Sequence, residues 1–248
     1  MTKSPAIVCK LCGHTQFGVL FEREFRVLSC RKCGLIFVAD HDRDHKKYYA
    51  EEYDYRLSAD GHFVDDEKLN GAIFDWVVKH LPQTRDTTLA EIGCSAGFLL
   101  KRFHDHGVNV FGVEPGKKAV EFAKQVNGLQ EIVCGMLEDV EVDWLFDAVI
   151  LIQTFEHMVH PLDSLSKVKG LLKDDGLLFI EVPNYYAPNG FYLLKIQGVD
   201  CPSPNHLFVY TRKTLSAFLI KAGFSVQETS YTLQNLRVVA KVNGSDAC

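Results

Sequence analysis

The sequence predicts an α/β fold with a largely parallel sheet, preceded by a small module that a metal ion stabilises. Strand and helix patterns alternate from residue 87 onward, which is typical of a parallel sheet covered by helices. A glycine-rich turn at residues 93–97 joins the first of these strands to a helix, and four cysteines form two pairs near the N-terminus. The 248 residues suffice for one sizeable core and a small additional module.

Composition excludes several classes of protein. Hydrophobic residues make up 47% of the chain, as in ordinary globular proteins. No run of 18 apolar residues predicts a membrane span, and the N-terminal apolar segment is too short for a signal peptide. The net charge of −5 argues against a general nucleic-acid binder, which is usually basic. We therefore expect a cytoplasmic protein with no membrane partner, and the oligomeric state stays open.

The N-terminal residues 1–40 have the pattern of a zinc ribbon. The two C-x2-C pairs, separated by 17 residues, are Cys9, Cys12, Cys30 and Cys33. This spacing is typical of a tetrahedral four-thiolate zinc site, and alternating apolar residues over 17–28 predict a hairpin that leads to the second pair. Four cysteines leave no open coordination position, so the site is expected to be structural. Chance spacing and a redox function of the pairs remain alternatives.

Residues 41–85 are predicted to form a linker or lid, followed by a leading helix. The stretch from Asp40 to Tyr55 is charged and rich in tyrosine, which suits either a solvated linker or a lid over a substrate. Apolar residues then recur at helical spacing from Leu69 through Ile73 to Trp76. We expect this amphipathic helix to pack on the main sheet.

The glycine-rich turn is the main candidate for a ligand site. A buried strand over residues 87–92 leads into Gly93, and a helix pattern begins after Gly97. Such a strand, turn and helix N-terminus suit a ligand with a polar or charged end. The G-x-G-x-x-G motif of dinucleotide folds is absent. Residues 93–97 also match the G-x-S-x-G motif of a hydrolase elbow, but the chain lacks the upstream strands and the oxyanion loop that such a site needs. A turn that binds no ligand is a further alternative.

The rest of the chain continues the alternation. Six further strands are predicted at residues 109–113, 131–134, 146–152, 177–182, 224–229 and 236–242. Helical patterns occupy residues 116–126, 162–172 and 211–222. The seven strands make one sheet, and the last two are predicted to form a hairpin at its edge.

Two motifs give these patterns a family resemblance. Glu91-x-Gly93-x-Ser95-x-Gly97 resembles the acidic-x-Gly-x-Gly-x-Gly motif of class I S-adenosylmethionine-dependent methyltransferases, with Ser95 in place of the middle glycine. Residues 173–184, Lys-Asp-Asp-Gly-Leu-Leu-Phe-Ile-Glu-Val-Pro-Asn, resemble a later motif of that family. The resemblance implies a Rossmann-like seven-stranded sheet with helices on both faces, S-adenosylmethionine as cofactor, and methyl transfer as the reaction.

The resemblance also implies roles for single residues. Glu114, at the end of the second sheet strand, corresponds to the acid that binds the adenosyl ribose. Met136 and Leu137 flank the adenine or are simply core residues, and Gln153 is a candidate for a polar contact near the sulfonium. The full set of implied cofactor-binding residues is Glu91, Gly93, Ser95, Gly97, Glu114, Met136, Leu137 and Gln153.

Two histidines are the candidate catalytic residues. His157 belongs to a Glu-His pair that in the family faces the methionine part of the cofactor and the acceptor. His206 lies at the end of a long aromatic connection over residues 185–210 and titrates in a range that suits a general base. For each histidine, a structural hydrogen bond is the alternative.

The acceptor is expected to be a small molecule, either a nucleotide- or lipid-linked sugar or another secondary metabolite. The chain resembles bacterial sugar C-methyltransferases, but of their Tyr-His-Glu-His-Leu motif only His206-Leu207 matches, and Ser203 takes the tyrosine position. Transfer to carbon, oxygen or nitrogen therefore stays open. An RNA-modifying enzyme that uses the ribbon as an RNA grip and a non-catalytic binding module are the rival functions. The ribbon residues that would suit RNA are Lys10, Arg23, Arg26, Arg31 and Lys32.

Overall fold

The computed structural model describes most of the chain. The described residues are 7–23, 25–39, 45–52, 63–81, 86–184, 193–196, 199–202 and 205–243. Asp40, Tyr55 and Ser203, which were named above, lie outside these ranges, as does much of the predicted linker or lid.

The chain divides into two compact units. One comprises Met1–Asp42, Gln153–Ser166 and Ile180–Cys248, and the other comprises Arg43–Ile152 and Lys167–Phe179. Each unit has its own group of candidate functional residues, so the two are treated separately below.

Strands and helices alternate through most of the described residues. The strands are β1 (Phe17–Glu22), β2 (Arg26–Cys30), β3 (Ile36–Val38), β4 (Thr88–Ile92), β5 (Asn109–Glu114), β6 (Ile132–Cys134), β7 (Phe146–Ile152), β8 (Leu172–Pro183), β9 (Leu193–Ile196), β10 (Val199–Pro202), β11 (Phe208–Val209), β12 (Phe224–Tyr231) and β13 (Asn235–Val242). The helices are α1 (His45–Lys47), α2 (Glu67–Val78), α3 (Phe98–Asp105), α4 (Lys117–Gln125), α5 (Pro161–Leu171) and α6 (Arg212–Lys221). A π-helical turn spans Tyr48–Glu52 and a 3-10 turn spans Phe155–His157.

The main sheet has seven strands in the order β12-β13-β8-β7-β4-β5-β6. Strand β4 is parallel to both β5 and β7, and β5 is parallel to β6. The antiparallel pair β12 and β13 closes one edge. The predicted seven-stranded α/β fold and its edge hairpin are therefore confirmed.

Strand β8 begins earlier than predicted. Asp174-Asp175-Gly176 has the composition of a turn, yet the strand starts at Leu172 and runs through these residues. A Cβ on Gly176 would lie 3.0 Å from the carbonyl oxygens of both Lys173 and Phe146. Glycine is therefore required here by a close approach of backbone, which sequence alone does not distinguish from a turn.

The leading helix packs on the sheet as expected. Helix α2 begins after Asp66, whose carboxylate accepts a hydrogen bond from the Leu69 amide at 3.0 Å. Its buried face includes Ile73 and Trp76, and the Trp76 ring meets the Phe179 ring of β8 edge-on at 5.4 Å. Burial of this apolar face is what holds a helix of this length in place.

The ribbon strands form a second sheet that also includes a strand from late in the chain. The order is β1-β2-β3-β11, with Phe208 opposite Phe37 and Val209 opposite Ile36. A shared apolar core joins these strands, and its members are Phe21, Phe25, Val27, Ile36, Val38 and Val209. The predicted hairpin is confirmed by the antiparallel pairing of β1 with β2.

The connection over residues 185–210 differs from the irregular segment expected. Strands β9 and β10 pair as an antiparallel hairpin, and β11 joins the ribbon sheet. All three are at most four residues long, so their alternation was too short to be recognised.

Candidate active site

The glycine-rich turn after β4 has the conformation that its sequence requires. Gly93, Ser95 and Gly97 have φ angles of 77°, 49° and 75°. A Cβ on Gly97 would also lie 2.7 Å from the Cδ1 atom of Leu129, so glycine is needed there for space as well as for conformation. Ser95 adopts the left-handed conformation at a cost of about 1 kcal/mol, which is typical of strained residues at functional sites.

Glu114 joins this turn to the end of β5. The side chain is buried, and its two oxygens accept hydrogen bonds from the amides of Ser95 and Gly116 at 2.9 and 2.8 Å. Gly116 is the residue from which helix α4 starts. The structure therefore brings the turn, the strand-end carboxylate and a helix N-terminus together, which is the arrangement that the sequence predicted for one nucleoside site.

Glu91, in the strand that leads into the turn, is a second buried carboxyl group. It is 5% exposed, and its Oε2 atom has no hydrogen-bond partner among the described residues. Burial, and secondarily the negative charge of Glu114, raise the pKa of Glu91 well above its usual value. The charge of Glu114 thus affects the pKa of Glu91, and the Glu114 carboxylate itself accepts two backbone hydrogen bonds.

The segment after β6 lies beside Glu114. The Gly135 amide donates to the Glu114 carbonyl oxygen at 3.0 Å. Leu137 is buried, whereas Met136 is partly exposed and its carbonyl accepts hydrogen bonds from two following amides. Met136 thus has an accessible apolar side chain, while Leu137 is a core residue of its unit.

Gln153 follows the carboxyl end of β7 with a φ angle of 51°. Its amide donates to the Glu181 carbonyl oxygen at 2.8 Å, and its Nε2 atom donates to Glu181 Oε1 at 3.3 Å. Among the described residues, Ser95 and Gln153 are the non-glycine residues with positive φ, and each follows the end of a parallel strand. Ligands of open α/β sheets bind at that edge.

The two candidate catalytic histidines lie together in the other unit. Their rings are 4.9 Å apart and nearly perpendicular. His157 Nδ1 is 2.7 Å from the carbonyl oxygen of Asn205, so Nδ1 carries the hydrogen in that bond. This contact ties the turn after β7 to the segment that bears His206. Both side chains are partly exposed.

His206 does not titrate in the neutral range that the sequence analysis expected. Burial, and secondarily the neighbouring His157, lower the pKa of His206 to about 3. The ring is therefore neutral near neutral pH and has a lone pair ready, but it is a weaker base than an exposed histidine. The sequence does not reveal the lowered pKa, because it results from the groups that surround the imidazole ring in the folded protein.

Glu156 was expected only as the partner of His157 in the Glu-His pair and was given no role of its own. It is 1% exposed, and neither carboxylate oxygen has a hydrogen-bond partner among the described residues. Its Oε1 atom is 3.9 Å from His157 Nε2. Burial, and secondarily the charge of Glu181, raise the pKa of Glu156 to about 8. In the sequence, the Glu156-His157 pair was the one indication of this position, and the burial of the Glu156 side chain could not be seen there.

Asn205 and Tyr210 were also missed. Asn205 acts through a backbone carbonyl, so its side chain carries no signal. The Tyr210 ring stacks on Phe155 at 5.0 Å, and its buried hydroxyl has no hydrogen-bond partner among the described residues. Burial, and secondarily Glu156, raise the pKa of Tyr210 well above its usual value.

The four ribbon cysteines form one cluster. Sγ of Cys9 is 3.6 Å from Sγ of Cys33, and Sγ of Cys12 is 3.6 Å from Sγ of Cys30. All four sulfurs lie within 4.8 Å of one another. Zinc–sulfur bonds of about 2.3 Å in a tetrahedron place neighbouring sulfurs about 3.8 Å apart, so the cluster fits a zinc ion.

Backbone amides support the cluster. Burial would raise the pKa of Cys30, but hydrogen bonds from the amides of Cys33 and Lys32 outweigh it and lower the pKa to about 7. The glycines that follow each pair, Gly13 and Gly34, have φ angles of 71° and 80°, so each chain segment turns back on itself there. The lowered pKa favours the thiolate of Cys30, whereas burial raises the pKa of Cys9 and of Cys33 as long as no metal neutralises them.

Comparison with known proteins defines the family. Residues 66–229 match the family described as "Methyltransferase domain", and the chain belongs to that family. The seven-stranded α/β sheet and the arrangement of Ser95 and Glu114 agree with membership of this family.

Two curated relatives indicate the range of activities near this chain. It is 28% identical over 172 residues to the tRNA U34 carboxymethyltransferase of Cellvibrio japonicus. The aligned region covers 66% of this chain and 53% of the relative. It is 27% identical over 148 residues to the ubiquinone biosynthesis O-methyltransferase of Chromobacterium violaceum, covering 57% and 62%. The chain thus spans little more than half the length of these relatives.

A solved structure agrees on the fold. The magnesium protoporphyrin IX methyltransferase of Synechocystis PCC 6803, solved with bound SAH, superposes with a TM-score of 0.56 at 17% identity. The match covers 71% of this chain and 83% of that one. In the part of the chain that the structure describes, no helix has the length and apolar character needed to cross a membrane.

Proposed function

We propose that this methyltransferase methylates a small-molecule acceptor of the sugar class, nucleotide- or lipid-linked, or a related secondary metabolite. The observation that carries the proposal is the pairing of His157 with His206, two partly exposed imidazoles whose rings lie 4.9 Å apart. Such a pair suits an acceptor with a protic group, because the transferred methyl replaces a proton that must leave.

Glu114 and the turn amides are the proposed binding groups for the cofactor. Glu114 binds the adenosyl ribose, because a fixed, buried carboxylate is a strong acceptor for vicinal hydroxyls. Gly93, Ser95 and Gly97 let the backbone approach the ligand, with Glu91 in the strand that leads into the turn. Met136 contacts the adenine, Leu137 supports it from the core, and Gln153 lies near the sulfonium.

The reaction is a direct displacement. An acceptor oxygen or other nucleophile forms a bond to the methyl carbon, the carbon–sulfur bond breaks, and its electron pair stays on sulfur, which becomes a neutral thioether. Holding the two substrates in line supplies much of the rate enhancement. The protein's further task is to remove the acceptor proton.

His206 is the proposed proton acceptor, and His157 is the residue that positions it. His206 is neutral near neutral pH, since its pKa is lowered to about 3, so it needs no prior deprotonation. The bond from His157 to the Asn205 carbonyl fixes the residue that immediately precedes His206. This geometry favours the catalytic interpretation of His206 without removing the structural one.

A variant separates the two interpretations. His206→Asn should lower kcat about 100-fold or more while leaving the Kd for S-adenosylmethionine within twofold, because general-base catalysis contributes at least that much. Mass spectrometry of a nucleotide-sugar panel, which detects the mass gained on methylation, is the assay. The matched control is His104→Asn, an exposed histidine of α3. Near wild-type kcat in His206→Asn would refute its role as base.

RNA modification is the second candidate. The tRNA-modifying relative supports it, as do ribbon cations that are exposed in the structure: Lys10, Arg23, Arg31 and Lys32. The net charge of −5 opposes it. A filter-binding titration with bulk tRNA decides: binding that weakens steeply between 50 and 200 mM salt in the wild type, and is lost in Lys10→Ala/Arg31→Ala, would favour RNA over a sugar.

Zinc in the ribbon and a cytoplasmic location complete the proposal. Cys9, Cys12, Cys30 and Cys33 would hold zinc and give the ribbon its folding free energy. A reduced four-thiolate cluster suits a reducing compartment, where thiols persist.

A further inference from the structure

The strongest unexplained feature of the chain is the buried carboxyl group of Glu156. Leaving a carboxylate buried without partners costs several kcal/mol, so it is either protonated or neutralised by a cation. In the described residues no lysine or arginine side chain is recorded in an ion pair with Glu156, and its nearest recorded ionisable partner is His157 at 3.9 Å. A cation here would neutralise the ionised form of this carboxyl group, and no recorded lysine or arginine among the described residues does so.

Two imidazoles accompany this carboxylate. One ligand atom from each of Glu156, His157 and His206 lies within 4.8 Å of the other two. Metal–ligand bonds of about 2.1 Å in a tetrahedron separate neighbouring ligand atoms by about 3.4 Å. The 3.9 Å between Glu156 Oε1 and His157 Nε2 is thus about half an ångström too long, which small side-chain rotations correct.

The orientation of His157 is that of a metal ligand. Its Nδ1–H donates to the Asn205 carbonyl at 2.7 Å, which leaves the lone pair of the neutral ring on Nε2, the atom nearer Glu156. Histidines that bind metals almost always donate their other ring N–H to a carbonyl, carboxylate or water in this way. The same bond anchors the segment that carries His206.

We propose that Glu156, His157 and His206 form a second metal site, which binds a divalent transition ion of the zinc type and leaves one coordination position open. Two nitrogens and one carboxylate are the ligand set of catalytic zinc sites, whereas magnesium and calcium prefer oxygen alone. The site is separate from the ribbon cluster, which offers four sulfurs and no open position.

The catalytic role of this ion rests on the proposed function. An acceptor hydroxyl in the open position would lose its proton to solvent near neutral pH, as zinc-bound water does with a pKa of about 7. The resulting alkoxide oxygen forms the bond to the methyl carbon while the carbon–sulfur pair stays on sulfur. His206 then acts as a ligand of the ion, and the ion takes the place of the imidazole in activating the acceptor.

The test counts metal ions and needs neither cofactor nor acceptor. Purified protein is equilibrated with zinc, gel-filtered, and analysed by mass spectrometry for metal per chain. We expect two equivalents in the wild type and one in Glu156→Gln, with two retained in the exposed control Glu67→Gln. With cobalt in place of zinc, Glu156→Gln should keep the thiolate charge-transfer bands of the ribbon and lose the weaker bands of a nitrogen–oxygen site.

Calorimetry with S-adenosylmethionine shows whether each variant is folded and tests the proposed function independently. If Glu156→Gln is insoluble, the wild-type stoichiometry and His206→Asn take its place. One equivalent in the wild type, bound only with thiolate bands, would overturn the second site while leaving methyl transfer intact. Two equivalents without any methylated product would support the metal and refute the acceptor class.

Discussion

At the scale of single residues, Glu114 is the proposed ribose-binding group, and its hydrogen bonds bear directly on that proposal. Two amides hold its carboxylate, and they come from the turn and from the start of α4. A fixed charge of this kind binds a ribose without first losing conformational freedom. The sequence placed the acid at the end of its strand, but the amide from Ser95 is visible only in the fold.

Glu114→Gln should weaken S-adenosylmethionine binding about tenfold to a hundredfold. The variant removes the charge and turns an NH2 group toward one of two backbone N–H donors, so one charge-assisted hydrogen bond is lost. Titration calorimetry measures the effect. Glu121→Gln, on the exposed face of α4, is the control, and an unchanged Kd in Glu114→Gln would contradict the assignment.

Gly97 offers a test of why the turn needs glycine. Gly97→Ala should lower the free energy of unfolding by about 2–4 kcal/mol, since it adds a left-handed alanine and a Cβ 2.7 Å from Leu129. Gly128 has a similar φ of 73° with open space around it, so Gly128→Ala should cost only about 1–2 kcal/mol. Urea unfolding compares the two, and equal losses would show that packing at Gly97 is unimportant.

At the scale of elements, Asp147 joins the starts of three strands. Its Oδ2 atom accepts hydrogen bonds from the Thr88 amide at 2.8 Å, from the Thr88 hydroxyl at 2.9 Å and from Lys173 Nζ at 2.8 Å. Burial opposes ionisation, but these donors outweigh it and lower the pKa of Asp147. The register of β4, β7 and β8 is therefore fixed partly by one carboxylate.

Asp147→Asn should destabilise the protein by about 1–3 kcal/mol near neutral pH. Because the folded pKa lies below the unfolded value of 3.8, the stabilisation is complete above that value and is lost as the pH falls through the folded pKa. Urea unfolding at several pH values should thus show wild type and variant converging only in acid. Asp143→Asn, at an exposed aspartate, should show no difference at any pH.

The ribbon sheet contains strands that sequence patterns predict and one that is too short to be predicted. The hairpin of β1 and β2 was predicted because apolar residues alternate over residues 17–28, which lead to the second cysteine pair. Strand β11 has two residues, too few to show a period, and it was found only through its pairing with β3. Its neighbour Leu207 accepts a hydrogen bond from the Val38 amide at 2.9 Å, so the ribbon contacts the segment next to His206.

At the scale of the whole molecule, we expect the two compact units to differ in their dependence on the zinc proposed for the ribbon. The ribbon cluster, β11 and the histidine pair belong to one unit, and the Ser95–Glu114 arrangement belongs to the other. Loss of the ribbon metal should therefore affect the histidines and spare the turn.

Cys30→Ser should increase hydrogen exchange about tenfold or more in residues 205–210, because a metal ligand of the ribbon is lost and β3 no longer holds β11. Residues 89–97 should keep wild-type protection, and the Kd for S-adenosylmethionine should stay within twofold. Exchange mass spectrometry is the measurement, and Cys134→Ser, an exposed cysteine of β6, is the control. Unchanged exchange at 205–210 would show that the ribbon does not support this segment.

The sequence by itself determined the class of fold, most strand and helix positions, the four-cysteine cluster and the turn with its distant carboxylate. These depend on period, spacing and glycine, which are local properties of the chain. Only the tertiary structure revealed the burial of the Glu156 carboxyl group, the lowered pKa of His206 and the joining of β11 to the ribbon. Each depends on which groups surround a residue after folding, and burial and charge act through space rather than along the sequence.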